Sequence, residues 1–568
     1  MMAHAQQTAG VLEPVAPGGD DPGRSTVRAR LRAGLRRRRP WLVALLAVVL
    51  LGQMAAAMVT TAVRQTPTID EPVYVATATD YLRAHRLRYN PEHPPLGKLL
   101  IAAGVAVADP HYDPSYTGTQ GEVGRHLLYE SGNDPWRLML WARLPVITLT
   151  LLSGLVVLAF ARDVMGPAGG LVALALYAFS PDVIAHGSLA TLDMPVTGFL
   201  LTSVWLVWRA RHRPRLYLPL AGAALGAAVA TKMSALPAVP VLMLLAVVSV
   251  WGARTGADRR RKVLLGLAGA AAVALVAVAV VWLAYLAVDP LLRFTPVEPV
   301  PAVHGLRGRL TGLLPLPEAY RAGMRVQFGL EDYPWQGFLF GHLYTGALWY
   351  YLPAALLVKT PLGSLALGLA GAVAFVAVRR LRPAAPYLLV PPAVLLAAAM
   401  TGARDFGTRY ALFVPVFLAV AAAGALGRRR RWARPLTGLL VLFVAVSSLR
   451  TFPYYLPYAN EAFGGPGRTH RLLHDSNVDW GQDLGRLADR LRQRYPGQRV
   501  WLVYKGSGVP SYYGIHASDP RKVPPDRVRG LLVVSDSAAA KARGRLAGLI
   551  RTSRPVDEVG HSITVYRR

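Results

Sequence analysis

Cysteine is absent from the 568 residues, so no disulfide and no thiolate metal site can form, and an oxidising compartment is neither required nor excluded. Acidic residues are scarce, 32 against 63 Lys and Arg, for a net charge of +31. In a soluble domain that excess would point to nucleic acid. Here much of it sits in short arginine clusters beside apolar runs, where membrane topology accounts for it better. Charged residues are few overall, 17% against 53% apolar, which excludes a disordered chain and an ordinary soluble one. Zinc spacings and internal repeats are missing too. Gly506-Ser507-Gly508 lacks the third glycine and the following helix of a dinucleotide site. Asp475-Ser476-Asn477-Val478-Asp479 is followed by Trp480 and Arg486 where a calcium loop needs glycine and glutamate.

What is present is a series of charge-free runs near the length of a membrane span. Residues 1–40 read as a disordered basic tail ending in Arg36 to Arg39. The basic region is too long for a signal peptide, so its arginines place the start of Trp41–Val63 in the cytoplasm and its end outside. Further spans are expected at 138–160, 169–185, 189–208, 216–230, 235–251, 263–288, 362–378, 386–400, 410–426 and 436–448. Their inner ends are marked by Arg209 to Arg215, Arg259 to Lys262, Arg379 to Arg382 and Arg428 to Arg431. Leu96–Ala108 is too short to span and reads as interfacial or re-entrant. Residues 344–358 also read as interfacial, because a full span there would put Arg379, Arg380 and Arg382 outside. The sequence thus predicts an α-helical polytopic membrane protein: about eleven spans plus interfacial helices over residues 41–453, with external loops at about 64–137 and 289–345. Gly222 and Gly226 have the GxxxG spacing of close helix packing.

Residues 454–568 change character. Apolar runs shorten to Arg499–Tyr504, Leu531–Val534 and Ile563–Tyr566, which read as strands, with Leu484–Arg494 as an amphipathic helix. A small external α/β domain follows. The polar run Asp475 to Asp483 is either a turn capping the Leu484 helix or a lip beside a site.

Chemistry gathers in residues 69–103. Asp70 and Glu71 follow the first span, and Glu92-His93-Pro94-Pro95-Leu96-Gly97-Lys98 comes about twenty residues later. Pro-Pro biases the residue before it to an extended conformation, so His93 should project from a fixed corner. The plain alternative is a hydrated loop of solvated charges. Arg143, Asp193, Lys232, Lys359, Arg404, Asp405 and Arg409 come from separate segments, yet all fall at external helix ends, on the side of Asp70 and Glu92. Charges at membrane depth are costly, so this convergence favours a polar cavity opening outward. For any one of them, a snorkelling or helix-end charge is the plainer reading.

Asp70-Glu71, His93-Pro94-Pro95-Leu96-Gly97-Lys98 and Asp193-Met194-Pro195 resemble the protein O-mannosyltransferases, members of the GT-C superfamily of polyprenyl-phosphate-sugar-dependent glycosyltransferases. The acidic pair is similar to that of the lipid A aminoarabinose transferases. Lys359-Thr360-Pro361, Gly407-Thr408-Arg409-Tyr410 and Asp475 to Asp483 look like the bacterial branch, and the resemblance spans about residues 41–515. It implies a GT-C fold in the cell membrane and a polyprenyl phosphate donor carrying one mannose-like sugar. Transfer would go, with inversion, to a hydroxyl of a protein, glycan or lipid acceptor on the outer face. It implies Asp70 as base, with Glu71 as runner-up, and Glu92 on the donor sugar or acceptor. His93 and Lys98 would face the phosphate, helped by Arg409, Lys232 and Lys359, and Asp193 would order that cluster or orient the acceptor. Lys98 has an alternative role in anchoring its helix to lipid headgroups, and Arg409 in capping a span end.

Physical requirements agree. No nucleotide sugar is available outside the cell, so an activated sugar must arrive on a lipid. A carboxylate is then needed for the acceptor proton, and cations for charge on the departing phosphate. No cofactor is required and no nucleic acid is implied. A divalent cation is compatible with Asp70, Glu71, Glu92 and Asp193, but nothing in their spacing demands one, so no metal site is assigned. Two other classes compete. A secondary transporter or lipid-linked-substrate flippase would show polar groups near the bilayer midplane, broken helices and related halves. A membrane-anchored binding protein would do its work through the C-terminal domain.

Overall fold

The computed structural model describes residues 22–253, 258–427 and 431–568, with the backbone alone for 22–39. Two sequence expectations, the tail before Pro22 and the cluster Arg428 to Arg430, lie outside the described residues. The chain divides into two compact units, residues 1–49 and 50–568. The first contains the opening turns of the helix Pro22–Arg64, so the part of the expected tail beyond Pro22 is helical. The second contains all the other elements.

Six helices among the described residues are long and apolar enough to cross a membrane: Pro40–Arg64, Pro135–Ala178, Met233–Ala253, Arg259–Leu286, Arg382–Ala399 and Ala433–Thr451. A seventh is obtained if Tyr351–Lys359 and Leu362–Ala377, bent by 117°, count as one broken span. Pro361, at the bend, lacks the N–H that would continue the ladder. The other expected spans form shorter or merged helices. Asp193–Arg209 has 17 residues, Pro214–Val229 has 16 and Phe413–Ala422 has 10. Two expected spans share Pro135–Ala178, which breaks at Gly166 (φ 76°) before Pro167. That left-handed conformation favours glycine.

The outward faces are apolar. Along Arg259–Leu286, Leu264, Leu267, Leu275 and Leu283 are 56–70% exposed, as a lipid-facing stripe requires. The inward faces pack through small residues. A Cβ on Gly222 would lie 2.7 Å from the carbonyl oxygen of Val273, and one on Gly226 would lie 2.6 Å from that of Ala277. The GxxxG pair therefore does bring Pro214–Val229 backbone-to-backbone against Arg259–Leu286.

A two-stranded antiparallel hairpin, β1 (Gln336–Leu339) and β2 (His342–Thr345), occupies part of the stretch expected as loop and interfacial helix. The helix there is only Tyr351–Lys359. In the C-terminal region, β3 (Val500–Val503), β4 (Ala517–Ser518), β5 (Leu531–Ser535), β6 (Arg554–Val559) and β7 (Ile563–Arg567) form one sheet in the order β4-β3-β5-β7-β6. β3 pairs in parallel with β4 and β5, and β7 is antiparallel to both β5 and β6. β5 is buried along its whole length, which is why its apolar run is continuous, not alternating. Leu484, Leu487, Ala488 and Leu491 of the helix Leu484–Arg494 recur at helical spacing and bury against one face of this sheet. Leu546 and Leu549 of Gly544–Arg551 cover the other. The small α/β domain is as the run pattern predicts.

Candidate active site

The site is built around Asp70, the residue before the helix Glu71–Arg83. Its side chain does not cap that helix. It pairs instead with Arg409, 2.5 Å away and 339 residues distant in sequence. Arg409 lies over the rings of Trp480 (4.4 Å) and Tyr410 (4.9 Å), stacking that fixes the guanidinium plane. Both members of the pair line a cavity of about 660 Å³ together with Glu92, His93, Lys232 and Arg404, and Phe328, Leu352, Leu395 and Phe413 give the same cavity an apolar side.

Lys232 donates to Asp193 at 2.5 Å and sits 5.1 Å from the Tyr410 ring centre. Asp193, buried in the first turn of Asp193–Arg209, thus reaches the cavity only through Lys232. Glu92 accepts from Asn90 (2.8 Å) and Gln120 (3.2 Å). Pro94 is extended (ψ 163°), as the residue before Pro95 must be, and the helix Pro95–Ala108 starts directly after it. The His93 ring meets Tyr74 edge-on, and its Nδ1 has no hydrogen-bond partner. Burial, with Lys232, Lys98, Arg404 and Arg409 nearby, holds its pKa well below the ordinary histidine value. Both effects favour the neutral imidazole over the imidazolium.

Besides Asp193, three expected site residues do not line the cavity. Glu71 is fully buried, with both oxygens occupied by Arg143 (2.7 Å each), the Ala190 N–H (2.7 Å) and the N–H and hydroxyl of Thr68 (2.9 and 3.1 Å). Burial raises its pKa, but the Arg143 charge and these hydrogen bonds outweigh that and pull it below the usual carboxylate range. With no free lone pair, Glu71 is a structural anion: Arg143 also binds the carbonyls of Ala62, Gln65 and Thr66. Lys98 spends its three N–H bonds on Asn90 O (2.8 Å), Asn90 Oδ1 (3.3 Å) and His93 O (2.7 Å). It buttresses the turn from inside, and being fully buried it does not anchor to headgroups either. Lys359 is directed to Asp182 (3.2 Å) and to the carbonyls of Leu456 and Asn477.

The run Asp475 to Asp483 is neither a helix cap nor a lip. Asp483 stands at the N-cap of Leu484–Arg494 without capping it, and accepts from Ser562 at 2.7 Å. The run is a buried strap that grips both halves of the site. On the arginine side, the Ser476 N–H and hydroxyl donate to Phe406 O (3.1 and 2.7 Å), and Asn477 Oδ1 accepts from the Thr408 N–H (3.0 Å). Gly407 (φ 153°) permits this approach, since a Cβ there would lie 2.2 Å from Ser476 Oγ. On the aspartate side, the Ile69 and Thr66 N–H groups donate to Trp480 O and Gln482 O, both at 3.0 Å.

Sequence reasoning gave no role to Tyr74 or Trp480, and counted Arg404 only among the converging charges. Arg404 binds Glu331 (2.7 Å) and Gln327 (2.5 Å) across the cavity wall. Tyr74 is four residues beyond Asp70 on the same helix face, a spacing that could have found it. The geometry sets four carboxylates (Asp70, Glu92, Glu331, Asp405) and four cations (Lys232, Arg307, Arg404, Arg409) around a half-apolar cavity, which offers a ligand charge of both signs on one side and hydrocarbon on the other.

Residues 46–289 match the family described as dolichyl-phosphate-mannose-protein mannosyltransferase. No curated protein matches the chain. Among solved structures, ArnT from Cupriavidus metallidurans in the apo state is similar at 15% identity and a TM-score of 0.47, over 93% of this chain and 98% of that one. The S. cerevisiae protein O-mannosyltransferase Pmt1-Pmt2 complex bound to the sugar donor is similar at 18% identity and a TM-score of 0.33, over 43% and 33%. The archaeal oligosaccharyltransferase AglB from Archaeoglobus fulgidus gives 12% identity and a TM-score of 0.42, over 86% and 69%. All three are loose likenesses.

Proposed function

Taking the chain as a GT-C type membrane glycosyltransferase, the class to which its sequence match points, we propose that it moves a mannose-like sugar from a polyprenyl phosphate to an acceptor hydroxyl. The reaction runs on the outer face of the cell membrane, with the N-terminus cytoplasmic and the C-terminal domain outside. One observation carries this reading: Asp70 and Arg409 meet at 2.5 Å on the wall of a cavity that Lys232 and Glu92 also line.

Asp70 takes the acceptor proton as the hydroxyl oxygen attacks the anomeric carbon from the face opposite the phosphate. The carbon–oxygen bond to the phosphate breaks, the anomeric centre inverts, and the polyprenyl phosphate leaves with its new charge on Arg409 and Lys232. The donor phosphate shares Arg409 with Asp70, which loosens the ion pair and frees the carboxylate for the acceptor when donor is bound. Glu92 orients the sugar, and Asp193 holds Lys232 in place. The cavity's apolar side receives the start of the lipid chain.

The test offers purified enzyme a panel of radiolabelled polyprenyl-phosphate sugars and compares wild type with Asp70→Asn. Turnover of at least one donor is expected, reduced about 10²–10⁴-fold in the variant with donor binding kept. Full activity in Asp70→Asn would remove Asp70 from the role of base, and no turnover with any donor would remove the donor class.

A further inference from the structure

On the α/β domain, three side chains from distant segments converge. His470 comes from the turn Pro466–Arg471, Asp536 from the start of the short helix after β5, and Glu558 from β6. One ligand-type atom of each lies within 4.8 Å of the other two. None of the three lines the cavity at Asp70.

Two features separate this group from a chance meeting of polar residues. Asp536 is only 5% exposed, and its Oδ1 accepts from the Thr564 hydroxyl at 2.7 Å. Among the described residues its Oδ2 has no hydrogen-bond partner, nor does Nδ1 of His470, 3.9 Å away. That separation is too long for a hydrogen bond, so a buried carboxylate oxygen and an imidazole nitrogen face each other unsatisfied. Secondly, the flanking groups hold the donors in place. His561, in the β6–β7 turn, has Nδ1 2.9 Å from Glu558 Oε1, and the Asp536 N–H donates to Ser562 O at 2.8 Å. The other charges facing the cluster are Arg471, beside His470 and Glu558, Asp483, beside Asp536 and His561, and Asp479, beside Asp536. Asp483 is paired with Arg486, so Asp536 and Glu558 face Arg471 with net negative charge to spare.

We propose that His470, Asp536 and Glu558 bind a divalent transition-metal ion of the zinc class, with His561 as the positioning residue that orients Glu558. One imidazole and two carboxylates with water in the fourth place is a donor set suited to zinc. Bonds of about 2.0–2.2 Å in a tetrahedron put ligand atoms roughly 3.3–3.6 Å apart, so the His470–Asp536 gap closes with a shift of a few tenths of an ångström. An outer imidazole on a ligating carboxylate is the arrangement that fixes ligand direction elsewhere. The ion would bind the turn before the strap to the edge of the sheet. No metal-ligand spacing marks these residues in the sequence because they come from three separate elements.

The test uses the full-length protein in detergent, stripped with a chelator, and Co²⁺ or Zn²⁺ alone as probes. Saturable Co²⁺ d–d absorption at one ion per chain is expected, displaced by Zn²⁺, with Zn²⁺ raising the thermal midpoint. His470→Ala and Glu558→Gln should each lose the absorption, and His561→Ala should weaken binding about 10–100-fold. Glu558 is exposed, so Glu558→Gln remains decisive even where His470→Ala lowers the metal-free midpoint. Absence of saturable Co²⁺ absorption in the stripped wild type, or its survival in Glu558→Gln, would overturn the assignment.

Discussion

Adjacent acids in the sequence should give opposite phenotypes. Asp70 lines the cavity with its carboxylate 26% exposed, whereas Glu71 is enclosed with Arg143. Glu71→Gln replaces an anion that accepts five hydrogen bonds with an amide that has one acceptor oxygen and turns an NH₂ toward donors. Arg143, 1% exposed, is left as a buried charge without its counter-ion, a change that costs about 3–5 kcal/mol. Asp70→Asn keeps the volume of a partly exposed side chain, and its effect on stability should stay within about 1 kcal/mol. Its barrier should rise by about 2.7–5.4 kcal/mol, the equivalent of 10²–10⁴ in rate. The assay pairs thermal unfolding in detergent with sugar transfer per folded molecule. Glu71→Gln is expected to unfold many degrees lower yet retain turnover at low temperature. Asp70→Asn is expected to melt with the wild type and turn over poorly. The reverse pattern, a stable but inactive Glu71→Gln beside an active Asp70→Asn, would refute the assignment.

Lys232→Met should cost about 10²–10³ in transfer rate through loss of a cation at the phosphate, read as kcat against the melting midpoint. Lys98→Met should instead lower stability by about 1–3 kcal/mol, by orphaning the Asn90 and His93 carbonyls, and leave turnover per folded enzyme near wild type. Gly226→Ala should destabilise by about 1–3 kcal/mol despite the better helix propensity of alanine, because its Cβ meets the Ala277 backbone; an unchanged midpoint would contradict the packing. Burial pushes the Asp479 carboxyl up to about 7. The folded state then holds a proton that the unfolded state releases near the ordinary value, so this group's contribution to stability falls between about pH 4 and 7 and is flat above. The midpoint of Asp479→Asn should rise relative to that of the wild type as pH increases over that window, and a constant difference would contradict it.

The sequence disclosed the parts of this molecule that depend on period and composition. The amphipathic helix Leu484–Arg494 agrees to the residue, and the three strongest apolar runs are β3, β5 and β7. The two-residue β4 and the hairpin of β1 and β2 are too short to show a period. The break at Gly166 and the bend at Pro361 fall between elements that the sequence reading separates, 138–160 from 169–185 and 344–358 from 362–378; apolar content does not register how short the helices at Asp193, Pro214 and Phe413 are. Of the residues that line the cavity, those at 70, 92, 93 and 409 were singled out because their types and segments resemble a known motif set, and Lys232 because it is a charge at an external helix end. What could not be read was direction. A lysine at a loop edge looks the same whether its ammonium enters a cavity, as at Lys232, or turns back to its own carbonyls, as at Lys98. Glu71 was hidden likewise, since its partner Arg143 lies on another helix.

The strap from Asp475 to Asp483 has an implication for the order in which the cavity can be completed. Asp70 and Arg409 belong to segments more than three hundred residues apart, and the peptide that joins their loops is made after both. A chain cut short before residue 475 would keep the Asp70–Arg409 ion pair but lose the hydrogen bonds that Ser476, Asn477, Trp480 and Gln482 make to the two loops. On the proposed reading, full transfer activity should therefore require a chain that extends through the strap.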